Sequence, residues 1–358
     1  MHTDIHAMCV QGECSVHEAV AQMDRSKLGI ILVVDRERRL VGTVTDGDIR
    51  RAVLERMQFD TPILRLIERK SHTPFATPIT AALDADRATW LGLLKEHNIL
   101  HLPLLDRDGR VAGLATMDEF LPTPEEPLHA VVMAGGFGKR LYPLTEELPK
   151  PMLPVGDQPL LEIIIKQLRD VGVKHVNVTT HHQSGKIMEH FGDGSDFGVS
   201  LSYVEENQPL GTVGGLGLLE IPKGTTLVIN GDILTQVDFR AMLTYHRQHQ
   251  ADLTVAVRHY DVKVPYGVVQ CEGTVVTGLC EKPVVEFFVN AGIYLLEPAV
   301  YQWIPAGRRF DMTDLIHGLL QERRRVIGFP IREYWLDIGE RAEYEQAHQD
   351  VREGKVRV

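Results

Sequence analysis

The sequence contains few cysteines. Only four occur among 358 residues, at Cys9, Cys14, Cys271 and Cys280. Their spacing lacks the close pairs of a zinc site, and their number is too small for a secreted scaffold stabilised by disulfides. We therefore expect reduced thiols and a cytoplasmic protein.

Long apolar segments are also missing. A helix that crosses a bilayer needs roughly 20 apolar residues, whereas the longest apolar run, near residues 28–34, has the length of a strand. The N-terminus carries polar residues where a signal peptide has its apolar segment. The sequence therefore predicts a protein with no membrane partner.

An excess of basic residues is the third absence. Lys and Arg number 38 against 49 Asp and Glu, which gives a formal net charge of −11. Sequence-independent binding to nucleic acid needs an electropositive surface, so we expect no nucleic-acid partner. A small anionic substrate needs its own cluster of Lys and Arg. With 44% hydrophobic and 24% charged residues, the chain is long enough for two or three cores.

An internal repeat is the first positive feature. The segment LVVDRERRLVGTVTDGDIRR aligns with PLLDRDGRVAGLATMDEFLP at a constant offset of 71 residues (106 minus 35), which pairs Asp35 with Asp106 and Gly42 with Gly113. Each copy has the pattern of a helix, an apolar strand, a tight turn, a second strand and a helix. The repeat resembles a tandem pair of CBS modules.

This resemblance divides the chain. It implies an N-terminal α+β tandem CBS module at residues 1–121, with repeats at about 1–60 and 72–121. Residues 122–127 (PTPEEP) form a proline-rich, acidic interruption, and three prolines block both helix and central strand. We predict a linker there and a second domain at residues 128–358.

The CBS resemblance also implies a ligand cleft. In that family, a hydroxyl and an acid at the end of the second strand face a cleft for an adenosine nucleotide. Thr45 and Asp48 match this pattern, while the second copy keeps Thr116 but has Glu119 in place of the aspartate. The longer side chain would crowd the ribose. The module therefore either binds an adenine or guanine nucleotide or only assembles the protein as a homodimer or larger homo-oligomer.

Beyond the linker, apolar runs alternate with helical patterns. The strand-like runs are residues 128–133 and the segments HVNVTT, LSYV, TLVING and LTVAV. Such alternation predicts an α/β fold in which a mostly parallel sheet is covered by helices.

The most informative segment is AVVMAGGFGKRLYPLTEELPKPMLPVGDQPLLE, residues 130–162. Gly135, Gly136 and Gly138 follow the first strand and allow backbone amides to approach a phosphate. Lys139 and Arg140 on the same loop could hold a triphosphate. A dinucleotide fingerprint would need glycine at 141, which is leucine, and a Walker loop would need Ser or Thr at 140. Both alternatives therefore fail.

The whole arrangement resembles the nucleotidyltransferase family that makes nucleotide sugars, over residues 128–339. That family has a mostly parallel, Rossmann-like (GT-A-like) sheet and the pattern GGxGxRLxPLTxxxPKPMLPVxxxPLL, which this sequence matches. The resemblance implies that Arg140 binds the β- and γ-phosphates and that Lys150 binds the α-phosphate. Ala134 belongs to the same nucleotide-binding loop.

Two aspartates are candidates for binding Mg²⁺, which a triphosphate undergoing in-line attack needs. Asp232 ends the strand TLVING, and Asp337 lies in YWLDIG. The ends of strands in an open α/β sheet are the usual place for ligand-facing residues. Both match the metal-binding aspartates of the resembled family.

A further set implies a sugar site. By resemblance, Lys282 of the EKP motif would pair with a sugar 1-phosphate and Glu281 with sugar hydroxyls. Gly267, Asn290 and Gly292 complete the expected pocket. Glycine allows a sugar ring to approach the backbone, and Asn offers both a donor and an acceptor.

The base is expected near PLGTVGG, where Gly211 and Thr212 match residues that face the nucleobase. Glu206 stands where uridylyl- and thymidylyltransferases of the family tend to carry Gln. A carboxylate only accepts hydrogen bonds, which suits the N–H donors of guanine. GTP is therefore favoured as the nucleotide. We expect His181 and His182, next to each other on extended chain, to line a loop.

These residues together predict a transfer reaction. A sugar 1-phosphate, such as mannose or glucosamine 1-phosphate, would attack the α-phosphate of GTP and release pyrophosphate. The main alternative uses UTP or dTTP. A different class is an inactive, nucleotide-sensing scaffold, although decay should first erase the phosphate and metal ligands, all of which remain.

Overall fold

The computed structural model describes residues 2–72, 75–120 and 128–357. The chain divides into two compact units, residues 1–125 and 126–358. The linker that we predict at residues 122–127 lies outside the described residues.

The N-terminal unit is built from two small mixed sheets and short helices. Its strands are β1 (Cys9–Gln11), β2 (Ile30–Val34), β3 (Leu40–Thr45), β4 (Ala81–Ala82), β5 (His101–Leu105) and β6 (Val111–Thr116). Its helices are α1 (Ile5–Met8), α2 (Val16–Ser26), α3 (Asp46–Leu54), α4 (Leu64–Arg69) and α5 (Arg87–Glu96). The sheets have the orders β1-β2-β3 and β4-β5-β6. The predicted repeat of two α/β modules is confirmed.

The two copies differ after their second strand. In the first copy, Thr45 caps α3 and Asp48 returns the bond to the Thr45 backbone, which forms a capping box. In the second, the chain continues as a 3₁₀ turn at Met117–Glu119, and the Thr116 side chain makes no capping bond. Glu119 instead lies 3.6 Å from the His2 ring. The helix expected there is therefore reduced to one turn in the described residues.

The C-terminal unit has thirteen strands among its described residues, and seven of them form its main sheet. Its strands are β7 (His129–Met133), β8 (Pro154–Val155), β9 (Gln158–Pro159), β10 (His175–Thr180), β11 (Ser200–Glu205), β12 (Thr226–Asn230), β13 (Ile233–Thr235), β14 (Leu253–Lys263), β15 (Val268–Glu272), β16 (Val275–Cys280), β17 (Val284–Leu296), β18 (Val326–Ile331) and β19 (Trp335–Asp337). The main sheet has the order β11-β10-β7-β12-β17-β14-β18. Only β17 runs antiparallel to its neighbours. The predicted mostly parallel α/β sheet is confirmed.

Helices cover both faces of this sheet. They are α6 (Leu160–Asp170), α7 (Ser184–Phe191), α8 (Gly211–Gly214), α9 (Phe239–Gln248), α10 (Met312–Gln321) and α11 (Arg341–Arg352). Because side chains alternate along a strand, Ala130 and Val132 face a core with α6, α7 and α9. Val131 faces a second core with α8 and α10. Because β10 and β12 both pair parallel with β7, the carboxyl ends of these three strands meet at one edge of the sheet.

Candidate active site

The glycine-rich loop begins where β7 ends. The Ala134 amide donates to the Thr179 carbonyl at 3.0 Å, which joins the loop to the end of β10. Gly138 has φ +62°, and a Cβ there would lie 2.8 Å from Thr145 Cγ2 and 3.2 Å from Lys150 Cβ. The Thr145 hydroxyl donates to the Gly138 carbonyl at 2.9 Å. The loop can therefore fold against Lys150 only because position 138 has no side chain.

We expect Gly138→Ala to destabilise the protein by about 2–4 kcal/mol, from left-handed backbone strain plus crowding against Thr145. The matched variant Gly307→Ala has a similar φ of +65° but no atom within 4 Å of the added Cβ. It should lose only about 1–2 kcal/mol. Urea unfolding of both variants measures the difference. Equal losses would show that the loop accommodates a side chain.

A buried ion pair lies beside this loop. Lys150 sits in a 3₁₀ turn (Lys150–Met152) directly after Pro149, and its side chain is buried. Its Nζ lies 2.5 Å from Asp232 Oδ2. Asp232 follows β12, and the Gly231 amide donates to the Met133 carbonyl at 2.8 Å, so the ends of β7 and β12 are joined. The sheet thus places a lysine and an aspartate from distant segments in contact.

The second carboxylate approaches from β19, which pairs antiparallel with β13 and places Asp337 opposite Ile233. The Ile338 amide donates to the Asp232 backbone carbonyl at 2.9 Å. Restricted hydration and then the Asp232 carboxylate raise the pKa of Asp337, against the opposing charges of Lys150 and Arg140. The predicted metal residues are therefore close enough to interact electrostatically.

These carboxylates fit a divalent cation. Asp232 Oδ1 is buried and accepts no hydrogen bond from any residue that the structure describes. A bound cation would satisfy this oxygen and relieve the repulsion that raises the pKa of Asp337. Hard cations such as Mg²⁺ prefer carboxylate oxygens. Arg140 lies nearby, because a Cβ on Gly339 would be 3.3 Å from Arg140 Nη2 and 3.6 Å from Asp337 Oδ1. Its guanidinium also lies 3.2 Å from Glu340.

Two of the sugar-site candidates, Asn290 and Gly292, lie on β17, and the other three lie just before β15 or just after β16. A Cβ on Gly267 would lie 2.9 Å from Glu281 Oε2, so these two residues are neighbours. The Gly292 amide donates to Asn290 Oδ1 at 3.0 Å. Lys282 is exposed and has φ +47°. The predicted sugar-site residues therefore form two neighbouring pairs, Gly267 with Glu281 and Asn290 with Gly292, while Lys282 is exposed.

Glu206 is buried, which sequence reasoning did not anticipate. Its Oε2 accepts a hydrogen bond from the Leu210 amide at 2.9 Å. Its Oε1 lies 3.5 Å from where a Cβ on Gly135 would be, so the carboxylate sits beside the glycine-rich loop. Burial raises the pKa of Glu206, against the bond from Leu210. A buried acceptor next to the loop is suited to recognising a ligand.

Gly211 and Thr212 are tied to the start of α10. The Thr212 amide donates to Asp311 Oδ1 at 3.0 Å, and the Thr212 hydroxyl accepts from the Met312 amide at 2.7 Å. Gly211 has φ +82°, and a Cβ there would lie 2.5 Å from Asp311 Oδ1. The Thr212 hydroxyl therefore holds residues 211–212 against the start of α10.

An aromatic cluster at the same edge was missed by the sequence analysis. The Phe137 ring of the glycine-rich loop lies 5.2 Å from the His181 ring and 5.4 Å from the His182 ring. His181 Nδ1 lies 2.6 Å from the Glu206 carbonyl. The position of the two histidines could have indicated this cluster, because both follow the carboxyl end of β10, where ligands bind in such sheets.

The CBS candidates occupy the predicted strand ends. Asp48 is buried and pairs with Lys70 and Arg51. Burial favours the protonated form of Asp48, yet the Lys70 ammonium, the Thr45 amide and Arg51 hold its pKa below the usual range. In the second copy, the Thr116 hydroxyl lies 3.3 Å from Glu119. The Asp48 carboxylate, which we expected to accept hydrogen bonds from a ribose, is therefore already ion-paired.

Family comparisons match both units. The nucleotidyl transferase family model matches residues 129–354, and the CBS domain model matches residues 1–55 and 74–123. No helix among the described residues is both long and apolar enough to cross a membrane.

Two relatives and one solved structure show how wide the similarity is. The mannose-1-phosphate guanylyltransferase of Mycobacterium tuberculosis is 34% identical over 233 residues, which cover 63% of this chain and 65% of that protein. The UTP–glucose-1-phosphate uridylyltransferase of Synechocystis sp. is 31% identical, with 63% of each chain covered. The chain thus spans less than two thirds of either relative.

A solved structure is also similar to this chain. It is a Bacillus anthracis protein assigned as a glucose-1-phosphate thymidylyltransferase, in complex with a sucrose. The TM-score is 0.53 at 25% identity, and the match covers 64% of this chain and 97% of that chain. The names of these three proteins differ in the nucleotide.

Proposed function

This chain belongs to the nucleotidyl transferase family, and we propose accordingly that it transfers a guanylyl group from GTP to a sugar 1-phosphate. The phosphate oxygen of the sugar 1-phosphate forms a bond to the α-phosphorus. The bond to the β-phosphate bridging oxygen breaks, and pyrophosphate leaves. The products are a GDP-sugar and pyrophosphate.

One observation carries this proposal most strongly. The Lys150–Asp232 pair lies beside the glycine-rich loop at the carboxyl ends of β7 and β12. A phosphate monoester is already anionic near neutral pH and needs no covalent nucleophile. The chain's contribution is therefore positioning and neutralisation of charge. Lys150 would hold the α-phosphate, Arg140 the outer phosphates and Lys282 the sugar phosphate.

The family uses a divalent metal, and we propose Mg²⁺ held by Asp232 and Asp337. When bound, such a cation withdraws charge from phosphate oxygens. The protein supplies the two carboxylates, one with a buried oxygen that has no hydrogen-bond donor among the described residues. Lys150 holds the Asp232 carboxylate in position.

The choice of GTP rests on Glu206. Its carboxylate is buried beside the glycine-rich loop and offers acceptors only. Guanine presents adjacent N–H donors, whereas uracil and thymine need a donor as well as an acceptor from the protein. The phenyl ring of Phe137 lies on the same loop and is partly exposed, so it can cover a base.

We expect Glu206→Gln to lower kcat/KM for GTP roughly 10–100-fold while leaving that for UTP unchanged or higher, because the amide replaces an acceptor with a donor. Gln can still accept the bond from the Leu210 amide. Since burial disfavours the charged form of Glu206, the variant should unfold at the same or a higher urea concentration. Steady-state kinetics with GTP and with UTP measure both values of kcat/KM.

The neighbouring Glu205→Gln is the matched control. Glu205 is exposed and lies one residue away, at the end of β11. It should leave both kcat/KM values unchanged. If the two variants behave alike, Glu206 does not select the base.

The proposed reaction is tested by Mg²⁺-dependent pyrophosphate release. GTP, UTP, dTTP, CTP and ATP are each supplied with a pool of sugar 1-phosphates. Release with GTP supports the proposal, and release with UTP or dTTP alone keeps the chemistry but rejects guanine. No release with any pair would reject the enzyme and favour a nucleotide-responsive scaffold.

A further inference from the structure

Asn230, the last residue of β12, has a side-chain oxygen that lacks a hydrogen-bond donor. The residue is half-buried, and its Oδ1 is buried and accepts no hydrogen bond from any residue that the structure describes. An unpaired buried acceptor destabilises a folded chain, and most such groups in native proteins have a partner. The origin of the missing donor therefore needs a physical explanation.

The position of Asn230 places this oxygen at the candidate active site. Asn230 lies beside Met133, the last residue of β7, after which the glycine-rich loop begins. Asp232, which contacts Lys150, follows two residues later. The carboxyl ends of parallel strands are where open α/β sheets bind their ligands. A bound substrate can therefore reach the Asn230 side chain.

The strand on the other side of Asn230 is β17. β12 pairs antiparallel with β17 as far as Ile229, which lies opposite Ile293, so Asn230 and Gly292 are the next residues on the two strands. A Cβ on Gly292 would lie 2.6 Å from Asn230 Nδ2 and 3.0 Å from Asn230 Cγ. The absence of a side chain at Gly292 therefore leaves the space that the Asn230 amide occupies.

The same region joins the metal candidates to the sugar candidates. Burial and the Asp232 carboxylate raise the pKa of Tyr294 to about 12, against a hydrogen bond with the Asn290 side chain. Asn290 Oδ1 accepts from the Gly292 amide at 3.0 Å. The polar groups around Asn230 thus pair with one another, whereas Asn230 Oδ1 does not.

The chemistry of the two substrates limits what can pair with this oxygen. Phosphate oxygens accept hydrogen bonds, and a divalent cation prefers the charged oxygens of Asp232 and Asp337 to a neutral amide. Sugar hydroxyls can donate. We propose that Asn230 Oδ1 accepts a hydrogen bond from a sugar hydroxyl of a bound substrate, either the sugar 1-phosphate or the ribose of GTP. This inference rests on the proposed function.

Asn230→Leu keeps the approximate size of the side chain and removes the acceptor. The KM for the substrate that carries the hydroxyl should rise about 10–100-fold, because the hydroxyl is then buried without a partner. A bond present in both the ground state and the transition state contributes to KM and not to kcat, so kcat should change much less. Pyrophosphate release with GTP and the sugar 1-phosphate that the wild type uses measures both constants.

Deoxy analogues identify the hydroxyl. Analogues of GTP that lack the 2′- or the 3′-hydroxyl test the ribose, and monodeoxy analogues of the sugar 1-phosphate test the acceptor sugar. The wild type should use one of these analogues about 10–100-fold less efficiently than its parent compound. Asn230→Leu should use that analogue and its parent about equally, because the variant has no acceptor to leave unpaired.

Stability measurements distinguish this contact from a structural role. Without ligand, Asn230→Leu should unfold at the same or a higher urea concentration than the wild type, because an unpaired buried acceptor is removed. The matched control is Asn177→Leu, which changes a half-buried asparagine within β10 of the same sheet. It should leave both KM values and the response to every analogue unchanged.

Three results would overturn the inference. Unchanged KM values with intact discrimination against the analogues would mean that no hydroxyl contacts Asn230. A lower urea midpoint for Asn230→Leu would place the partner within the chain itself. An effect confined to the Mg²⁺ concentration at half-maximal rate would assign the oxygen to the cation. By contrast, no wild-type release with any substrate pair would reject the proposed reaction, and this contact with it.

Discussion

Asp232→Asn should lower kcat about a thousandfold, the loss typical when a preorganised charge at a reacting centre is removed. Asn keeps the size of the side chain but removes the negative charge that we assign to metal binding. It also leaves the Lys150 ammonium without its partner at 2.5 Å. Pyrophosphate release at saturating GTP and Mg²⁺ measures the effect.

The same variant should be less stable than the wild type. Lys150 is buried, so its charge loses an ionic hydrogen bond and remains desolvated. We expect a loss of roughly 1–3 kcal/mol in the free energy of unfolding. Adding Lys150→Met to Asp232→Asn removes both charges and should recover part of that stability but none of the activity.

Asp157→Asn is the control for this experiment. Asp157 is exposed in the turn between β8 and β9, so both its rate and its stability should match the wild type. A folded Asp232→Asn variant with a near-normal rate would exclude Asp232 from the reaction and leave Lys150–Asp232 as a purely structural pair.

The strands of the C-terminal unit were predictable because their signals are local. HVNVTT forms β10 over its full length, and TLVING forms β12 up to Asn230. The glycine pattern and the PKP segment also located the loop that contacts Lys150. Backbone conformation explains this success, since a glycine is required wherever φ is positive and a neighbour is close, as at Gly138.

Contacts between distant residues were less accessible. Lys150 and Asp232 are 82 positions apart, and their pairing was not predicted, although each was singled out. Nothing local distinguishes the buried Glu206 from the exposed Glu205, because their burial depends on the packing of Gly135, Gly215 and Leu210. The Lys70–Asp48 pair in the CBS module has the same origin.

The outer half of β14 was not predicted. The run LTVAV identified the inner half, but β14 continues to Lys263 with exposed side chains. An apolar run marks a buried strand and does not show where the strand continues beyond the core.

Asp337→Asn should lower kcat about a hundredfold and yet make the metal-free protein more stable near neutral pH. Restricted hydration and the Asp232 carboxylate raise the pKa of Asp337, so its charge is disfavoured in the folded protein. Asn resembles the neutral carboxyl and removes this unfavourable charge. The variant therefore separates function from stability, in contrast to Asp232→Asn, which should lose both.

The raised pKa of Asp337 also predicts how the stability of the folded protein changes with pH. Between the ordinary pKa of an aspartate and the raised pKa of Asp337, the folded wild type binds more protons than the unfolded chain, so its stability falls as pH rises. The melting temperature of Asp337→Asn in EDTA should exceed that of the wild type above this interval and match it below. Mg²⁺ should raise the melting temperature of the wild type more than that of the variant, because binding only to the folded form is stabilising. Equal responses to Mg²⁺ would mean that Asp337 does not hold the cation, and its raised pKa would then reflect only the crowding of carboxylates at the end of the sheet.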